Sequence, residues 1–135
     1  MSISYTSGYK YQLTKDYTVK VRIAPPETID TRFIRFHRNG ILVIRNGYAW
    51  DGPSGPTIDT KTFMRGSLVH DALYQLLRMK LLSQDNRQVV DNELHRICLE
   101  DGMSRLRAWY VHRGVRLGAG FAASPENRRK VTVVP

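Results

Sequence analysis

The spacing of hydrophobic residues changes along the chain, and it predicts a β-rich first half and a helical second half. In the first half, residues 9–13 and 18–23 form short, partly alternating apolar runs, as strands with one buried face do. The clearest element is a hairpin, in which residues 32–37 alternate basic with apolar side chains and residues 41–44 continue as a strand. The intervening Arg38-Asn39-Gly40 contains Asn-Gly, a dipeptide that favours tight turns. The pattern predicts antiparallel strands.

From Thr62 onward the apolar residues recur three and four positions apart, which is the period of an amphipathic helix. Ser83 is a predicted N-cap for a second helix, which Asp101-Gly102 should end. A third helix is predicted from about residue 104 to 117. Each helix should bury one apolar face.

These elements predict an α+β fold, in which N-terminal antiparallel strands pack on a bundle of about three helices. A chain of 135 residues can bury one core, so we expect a single domain. Its regions are residues 1–47, mainly β; residues 48–61, a loop rich in glycine and proline; residues 62–118, helical; and residues 119–135, a polar tail.

Composition narrows the candidate partners and compartments. Lysine and arginine outnumber aspartate and glutamate by 21 to 12, which gives a net charge of +9 and attracts polyanions such as nucleic acid or anionic lipid. The alternative is that the charge only maintains solubility. The chain has one cysteine, no apolar run long enough for a transmembrane segment and no signal-peptide pattern. We therefore expect a reducing cytoplasm.

Four polar residues lie at the edges of the apolar faces of the first two helices. They are His70 and Tyr74 on the first helix, and Asp91 and His95 on the second. Antiparallel packing of these helices would bring them together. A carboxylate from Asp91 would then hold His70 in one tautomer and leave its other ring nitrogen free to take a proton from water. His95 is a candidate for an outer, supporting position.

Asp71 points about 100° away from His70 around the helix, toward the glycine- and proline-rich loop. Carbonyl oxygens near Gly52 and Gly55, together with the Asp71 carboxylate, would make a hard oxygen site of the kind that binds Ca²⁺. The prolines fix the loop backbone, and Trp50 is the expected anchor that packs the loop down.

The residues around this site resemble a known enzyme family. His70-Asp71-Ala72-Leu73-Tyr74 is similar to the HDxxY helix of phospholipase A2, and Asp91-Asn92-Glu93-Leu94 to the aspartate of its second helix. The segment from Trp50 to Pro56 lies where that family has its glycine-rich calcium loop. The nearest variant is the disulfide-free phospholipase domain of parvovirus capsids. The stretch from Gly47 to Cys98 also resembles a family of tailed-phage and prophage proteins of unknown function, which carry WDGxSGP followed by HDxLY.

The phospholipase resemblance implies an esterase that acts at membranes. His70 would be the general base, Asp91 and Tyr74 would orient it, and Asp71 with the loop carbonyls would hold Ca²⁺. The remaining candidates are loop residues near the substrate: Trp50, Asp51, Ser54 and Asp59.

Other functions stay open beside the esterase. The first alternative is a non-enzymatic phage virion or assembly protein, in which His70 and Asp71 form a buried polar pair that links helices. The second is an HD-type metal-dependent phosphohydrolase, with Asp91, His95 and His37 as further ligands.

The phage resemblance adds expected partners and locations. We expect an anionic phospholipid membrane or other phage proteins as partners, and nucleic acid is a third candidate through the basic surface. The third helix bears Arg105, Trp109, His112, Arg113 and Arg116, a basic and aromatic set that suits lipid or nucleic-acid phosphates, although a solvated face is the alternative. The expected locations are the host cytoplasm during synthesis and then the virion.

Overall fold

The fold is described from a computed structural model, which covers residue 3, residues 5–6, 11–50 and 60–123. The described elements are β1 (Tyr5–Thr6), β2 (Tyr11–Leu13), β3 (Tyr17–Lys20), β4 (Ile29–Asp30), β5 (Ile34–Phe36), β6 (Ile41–Ile44), β7 (Ala49–Trp50), α1 (Thr60–Arg78), a 3₁₀ turn (Gln84–Asn86), α2 (Arg87–Glu100) and α3 (Arg105–Ala123). Antiparallel strands precede three helices, so the predicted α+β class is confirmed. The chain divides into two compact units, one with these strands and one with these helices. That the two units form a single domain stays a prediction.

The strand unit contains two antiparallel sheets, with strand orders β1-β2-β7 and β3-β6-β5-β4. In the larger sheet the residues of β3 alternate between buried and exposed, as the sequence pattern predicts. The side chains of Ile34, Phe36, Leu42 and Ile44 are fully buried. The apolar alternation therefore faces the core of this unit.

The predicted hairpin is confirmed as β5 and β6, which pair antiparallel. Gly40 is the last residue of the connecting turn, residues 37–40, and has φ +89°, a left-handed conformation that glycine adopts without strain. A Cβ at this position would lie 2.9 Å from the carbonyl oxygen of Val21, and the Gly40 carbonyl accepts a hydrogen bond from the Val21 backbone N–H. The glycine thus permits both the turn and the close approach of the neighbouring chain.

The helical unit follows the predicted order, with shifted boundaries. Helix α1 begins two residues before the predicted Thr62. The Ser83 hydroxyl accepts a hydrogen bond from the Asp85 N–H and so caps the 3₁₀ turn that leads into α2. Asp101 caps α2, and Gly102 follows with φ +97°. Helix α3 continues beyond the predicted end at residue 117.

Helices α1 and α2 pack antiparallel. Arg65, in the second turn of α1, bonds Asp101 and Glu100 at the end of α2, whereas Tyr74, four residues before the end of α1, bonds Asp91 in the second turn of α2. Between them Gly66 lies against Leu94, so that an added Cβ would be 2.9 Å from Leu94 Cδ1. The absence of a side chain at position 66 lets the two helices approach closely.

Helix α3 packs against α2 and, through Phe63, against α1. Ala108 is fully buried with Leu94, Cys98 and Met103, and three partly buried residues pack against them: Phe63, Val111 and Val115. Among the described helices, none combines the length and hydrophobicity needed to cross a membrane.

The close approach at Gly66 gives a paired prediction. Gly66→Leu should lower the free energy of unfolding by about 1–3 kcal/mol, because the leucine must displace Leu94 and Cys98 in a packed core. Gly114→Leu in α3 is the matched control, since a Cβ there meets nothing within 4 Å. It should raise stability by up to about 0.8 kcal/mol through helix propensity. Urea unfolding measures both, and equal effects of the two substitutions would contradict the packing described.

Candidate functional site

The candidate site is centred on the Asp91 carboxylate, which is fully buried. His70 Nε2 lies 2.7 Å from Asp91 Oδ1, and the Tyr74 hydroxyl donates to the same oxygen at 2.6 Å. Arg116 Nη1 donates to Oδ2 at 2.6 Å. A buried carboxylate needs such partners, because an unpaired charge in the protein interior is strongly disfavoured.

Helical spacing explains how α1 supplies two of these donors. His70 and Tyr74 are four residues apart, so their side chains lie one above the other on the same face of α1. Their ring centroids are 4.1 Å apart, with an angle of 32° between the ring planes. Tyr74 therefore both packs on the imidazole and shares its carboxylate partner.

The hydrogen bond to Asp91 defines the state of His70. With Nε2 bonded to a carboxylate, that nitrogen carries the proton, and in the neutral ring the free lone pair lies on Nδ1. Nδ1 is 3.9 Å from Asp71 Oδ1, which is too long for a hydrogen bond but close enough for electrostatic attraction. The Asp71 side chain, which lies beside Nδ1, is 38% exposed.

The electrostatics of the group favour the ion pair. Burial disfavours the charged imidazolium, but the carboxylates of Asp71 and Asp91 outweigh it, so the pKa of His70 is raised above its usual 6.5. Burial also opposes the charge on Asp91. The hydrogen bonds from His70, Tyr74 and Arg116 outweigh this effect of burial, so the pKa of Asp91 is lowered below 3.8. The pKa of Tyr74 is raised, first by burial and then by its bond to Asp91, so the phenol stays protonated.

Arg116 belongs to this group, although the sequence pattern predicts it on the basic and aromatic face of the third helix. The structure turns Arg116 and His112 toward α2, where His112 Nε2 lies 2.8 Å from Asn92 Oδ1. The four-residue spacing of Ala108, His112 and Arg116 places them on one line of α3, and Ala108 is buried. In the sequence, this spacing is the signal that Arg116 lies near a buried side of α3.

The other predicted site residues lie elsewhere or outside the described residues. His95 packs edge-on against His112, with ring centroids 5.4 Å apart, while the Asp91 oxygens are bonded to His70, Tyr74 and Arg116. This arrangement does not favour the metal set proposed for a phosphohydrolase. His37 lies in the strand unit, at the turn between β5 and β6.

Trp50 is buried in β7, where it pairs with Tyr11 of β2 and packs against its ring. The loop candidates Asp51, Gly52, Ser54, Gly55 and Asp59 fall outside the described residues. Within the described part of the chain, no three His, Cys, Asp or Glu side chains are grouped so as to hold a metal ion. Asp71 remains available as one oxygen ligand.

A second ionic network fixes the far end of the α1–α2 pair. The buried Arg65 bonds Asp101 at 3.1–3.2 Å and Glu100 at 2.7 Å. Arg96 links Glu93 to Glu100 along α2. The Arg65 bonds join α1 to α2 and are consistent with the register that places His70 beside Asp91.

Comparisons of this chain with protein-family models, with curated proteins and with solved structures found no match.

The pKa of Asp91 predicts sensitivity to acid. A carboxyl group whose pKa is lowered on folding stabilises the protein above its unfolded value near 3.8, and this contribution is lost as the pH falls below that value. The melting temperature of the wild type should therefore fall more steeply below pH 3.8 than that of Asp91→Asn, which has no such carboxyl group. Asp85→Asn, at an exposed position, should behave like the wild type. Parallel acid profiles for wild type and Asp91→Asn would show that Asp91 is not held ionised by its neighbours.

Proposed function

We propose that this protein is a phage-associated, phospholipase A2-like esterase in which His70 activates a water molecule. The observation that carries the proposal is the hydrogen bond between His70 Nε2 and the buried Asp91 carboxylate, which leaves Nδ1 on the side of Asp71, whose side chain is 38% exposed. The bond supports the proposal because a histidine general base has one ring nitrogen fixed by a carboxylate and uses the other to accept a proton.

The reaction needs one base and one water. His70 Nδ1 would take a proton from water as the oxygen attacks the ester carbonyl carbon. When the ester C–O bond breaks, the leaving alkoxide would take that proton from His70. Asp91 would stabilise the imidazolium formed in between, and Tyr74 and Arg116 would hold Asp91 in place.

Calcium is part of the proposal through Asp71. Its half-exposed carboxylate is one hard oxygen ligand beside His70, and the carbonyl oxygens of Gly52 and Gly55 would complete the site. A bound Ca²⁺ would stabilise negative charge on the ester oxygen. The expected partners are an anionic phospholipid membrane or other phage proteins, with nucleic acid as a further candidate, and the expected locations are the host cytoplasm and the virion.

The second candidate function is a non-enzymatic assembly protein that keeps the same scaffold. The observation in its favour is that His70 is only 9% exposed and that its partner Asp91 is fully bonded. Such a closed network can serve to fix three helices in one arrangement. Loss of the His70 imidazole would remove catalysis in the esterase, but only stability in the assembly protein.

Replacement of the base distinguishes them. His70→Gln should lower the rate of fatty-acid release from phospholipid vesicles by about a hundredfold to ten-thousandfold, because glutamine has no basic nitrogen. His95→Gln, on the side of α2 that faces His112, is the matched control and should keep most of the activity. Because the pKa of His70 is raised, the assay is run on the alkaline side of neutrality, where more of the ring is neutral.

Circular dichroism and a melting curve must accompany the assay. If the wild type releases no fatty acid from anionic or zwitterionic vesicles with Ca²⁺ present, and His70→Gln only destabilises the fold, the assembly function replaces the esterase.

Calcium binding has its own test. A ligand that binds only the folded state stabilises it, by about 2.7 kcal/mol at a hundred times its Kd. Millimolar Ca²⁺ should therefore raise the melting temperature of the wild type and of Asp85→Asn, but not that of Asp71→Asn. A shift that persists in Asp71→Asn would place the ion elsewhere, and no shift in the wild type would remove Ca²⁺ from the proposal.

A further inference from the structure

The outward side of α3 is a continuous face of exposed residues. We call it the outer face, and it consists of Arg105, Leu106, Trp109, Tyr110, Arg113 and Leu117. Its members recur at intervals of three and four residues, so they form one stripe along the helix. On another side of α3, Ala108 is buried in the core of the helical unit, and Arg116, at the edge of the outer face, reaches to Asp91 of α2.

The outer face is unusually apolar for a surface. Leu106 is 65% exposed, Trp109 50%, Tyr110 65% and Leu117 81%. Single exposed apolar side chains are common, but four large ones in a row on one helix mark an interaction surface. Helix α3 thus has two apolar sides: the side with Ala108 packs inside the helical unit, and the outer face is exposed.

The charge of this face has one sign. The sequence of α3 contains four arginines and no aspartate or glutamate. Arg116 is directed inward to Asp91, whereas Arg105 and Arg113 lie at exposed positions of the outer face. The Arg113 guanidinium lies over the Trp109 ring, 5.5 Å from its centroid. The partner must therefore offer negative charge beside an apolar region.

We propose that the outer face of α3 docks on the surface of an anionic lipid bilayer. Leu106 and Leu117, near the two ends of the stripe, would enter the acyl region. Trp109 and Tyr110 would lie at the level of the headgroups, where aromatic rings with a polar atom are favoured, and the arginines would contact lipid phosphates. This surface lies outside the residues assigned to hydrolysis, and the proposal holds whether or not His70 cleaves an ester.

Other partners fit the face less well. Nucleic acid offers phosphates and bases but no acyl region for two exposed leucines. A second copy of this helix would bury the leucines, but it would bring arginines against arginines without a carboxylate on either helix. Of these three partners, a lipid surface is the one that matches both the positive charge and the apolar stripe.

The test measures binding of the intact protein to vesicles by sedimentation. The vesicles contain ether-linked phosphatidylglycerol and phosphatidylcholine, which have no carboxylic ester for the proposed esterase to cleave, so binding is measured apart from hydrolysis. The protein should bind vesicles with phosphatidylglycerol and not those of phosphatidylcholine alone. Binding should weaken from about 0.1 M to about 1 M salt, where the screening length falls from about 10 Å to about 3 Å.

Variants of the outer face should reduce this binding in a defined way. Arg113→Gln should weaken it about fivefold, the contribution of one arginine near an anionic surface. Leu106→Ser with Leu117→Ser should weaken it by about tenfold or more, because each leucine loses the gain from burial in the acyl region. The matched controls are Arg38→Gln and Leu81→Ser, which change an exposed arginine and an exposed leucine outside α3 and should bind like the wild type.

Gly114→Leu separates lipid binding from helix pairing. Position 114 is exposed on the same side of α3, and a Cβ there meets nothing. An added leucine should strengthen binding to a fluid bilayer, whereas it should disrupt a helix that approaches through the glycine backbone. The proposal is overturned if phosphatidylglycerol vesicles do not bind the protein, or if the outer-face variants bind like the controls. It is also overturned if those variants instead abolish a dimer seen by sedimentation velocity, or binding to DNA.

Discussion

The arrangement of the helical unit depends on one buried negative charge. The Asp91 carboxylate has no exposure to solvent, and its oxygens are bonded to a histidine, a tyrosine and an arginine from the two neighbouring helices. Removal of one partner from such a group is more disruptive than the loss of a surface ion pair, because the remaining charge stays buried and incompletely paired. Asp91 therefore sets the relative positions of α1, α2 and α3 as well as the orientation of His70.

Two features away from Asp91 make this geometry attainable. Gly66 lets α1 and α2 approach without an intervening side chain, and the buried Arg65 joins the start of α1 to the end of α2. A translation of one helix against the other by a single turn, about 5.4 Å, would separate His70 from Asp91. The packing and the ionic network thus act together on the 2.7 Å contact at the site.

Helix α3 has a different role on each side. Its inner side supplies Ala108 to the core, and Arg116 reaches from the edge of the helix to Asp91. Its outer side carries exposed leucines, aromatic rings and arginines that no inner contact requires. If the outer face binds a bilayer, the same helix connects the membrane to the carboxylate that orients His70. A lipid-binding surface and an esterase site would then be two sides of one element.

The sequence by itself determined the order of the elements and the faces of the helices. Period-two and helical spacings predicted the hairpin of β5 and β6 and the three helices, and they placed His70, Tyr74 and Asp91 on facing edges. Local spacing suffices for this, because it fixes which side chains share a face. It could not assign Arg116 or Arg65, because their carboxylate partners belong to a different helix or its cap and only tertiary packing brings them within reach. Tertiary structure decides such pairs, because a buried charge must be paired and the available partners depend on which distant residues lie near it in the folded chain.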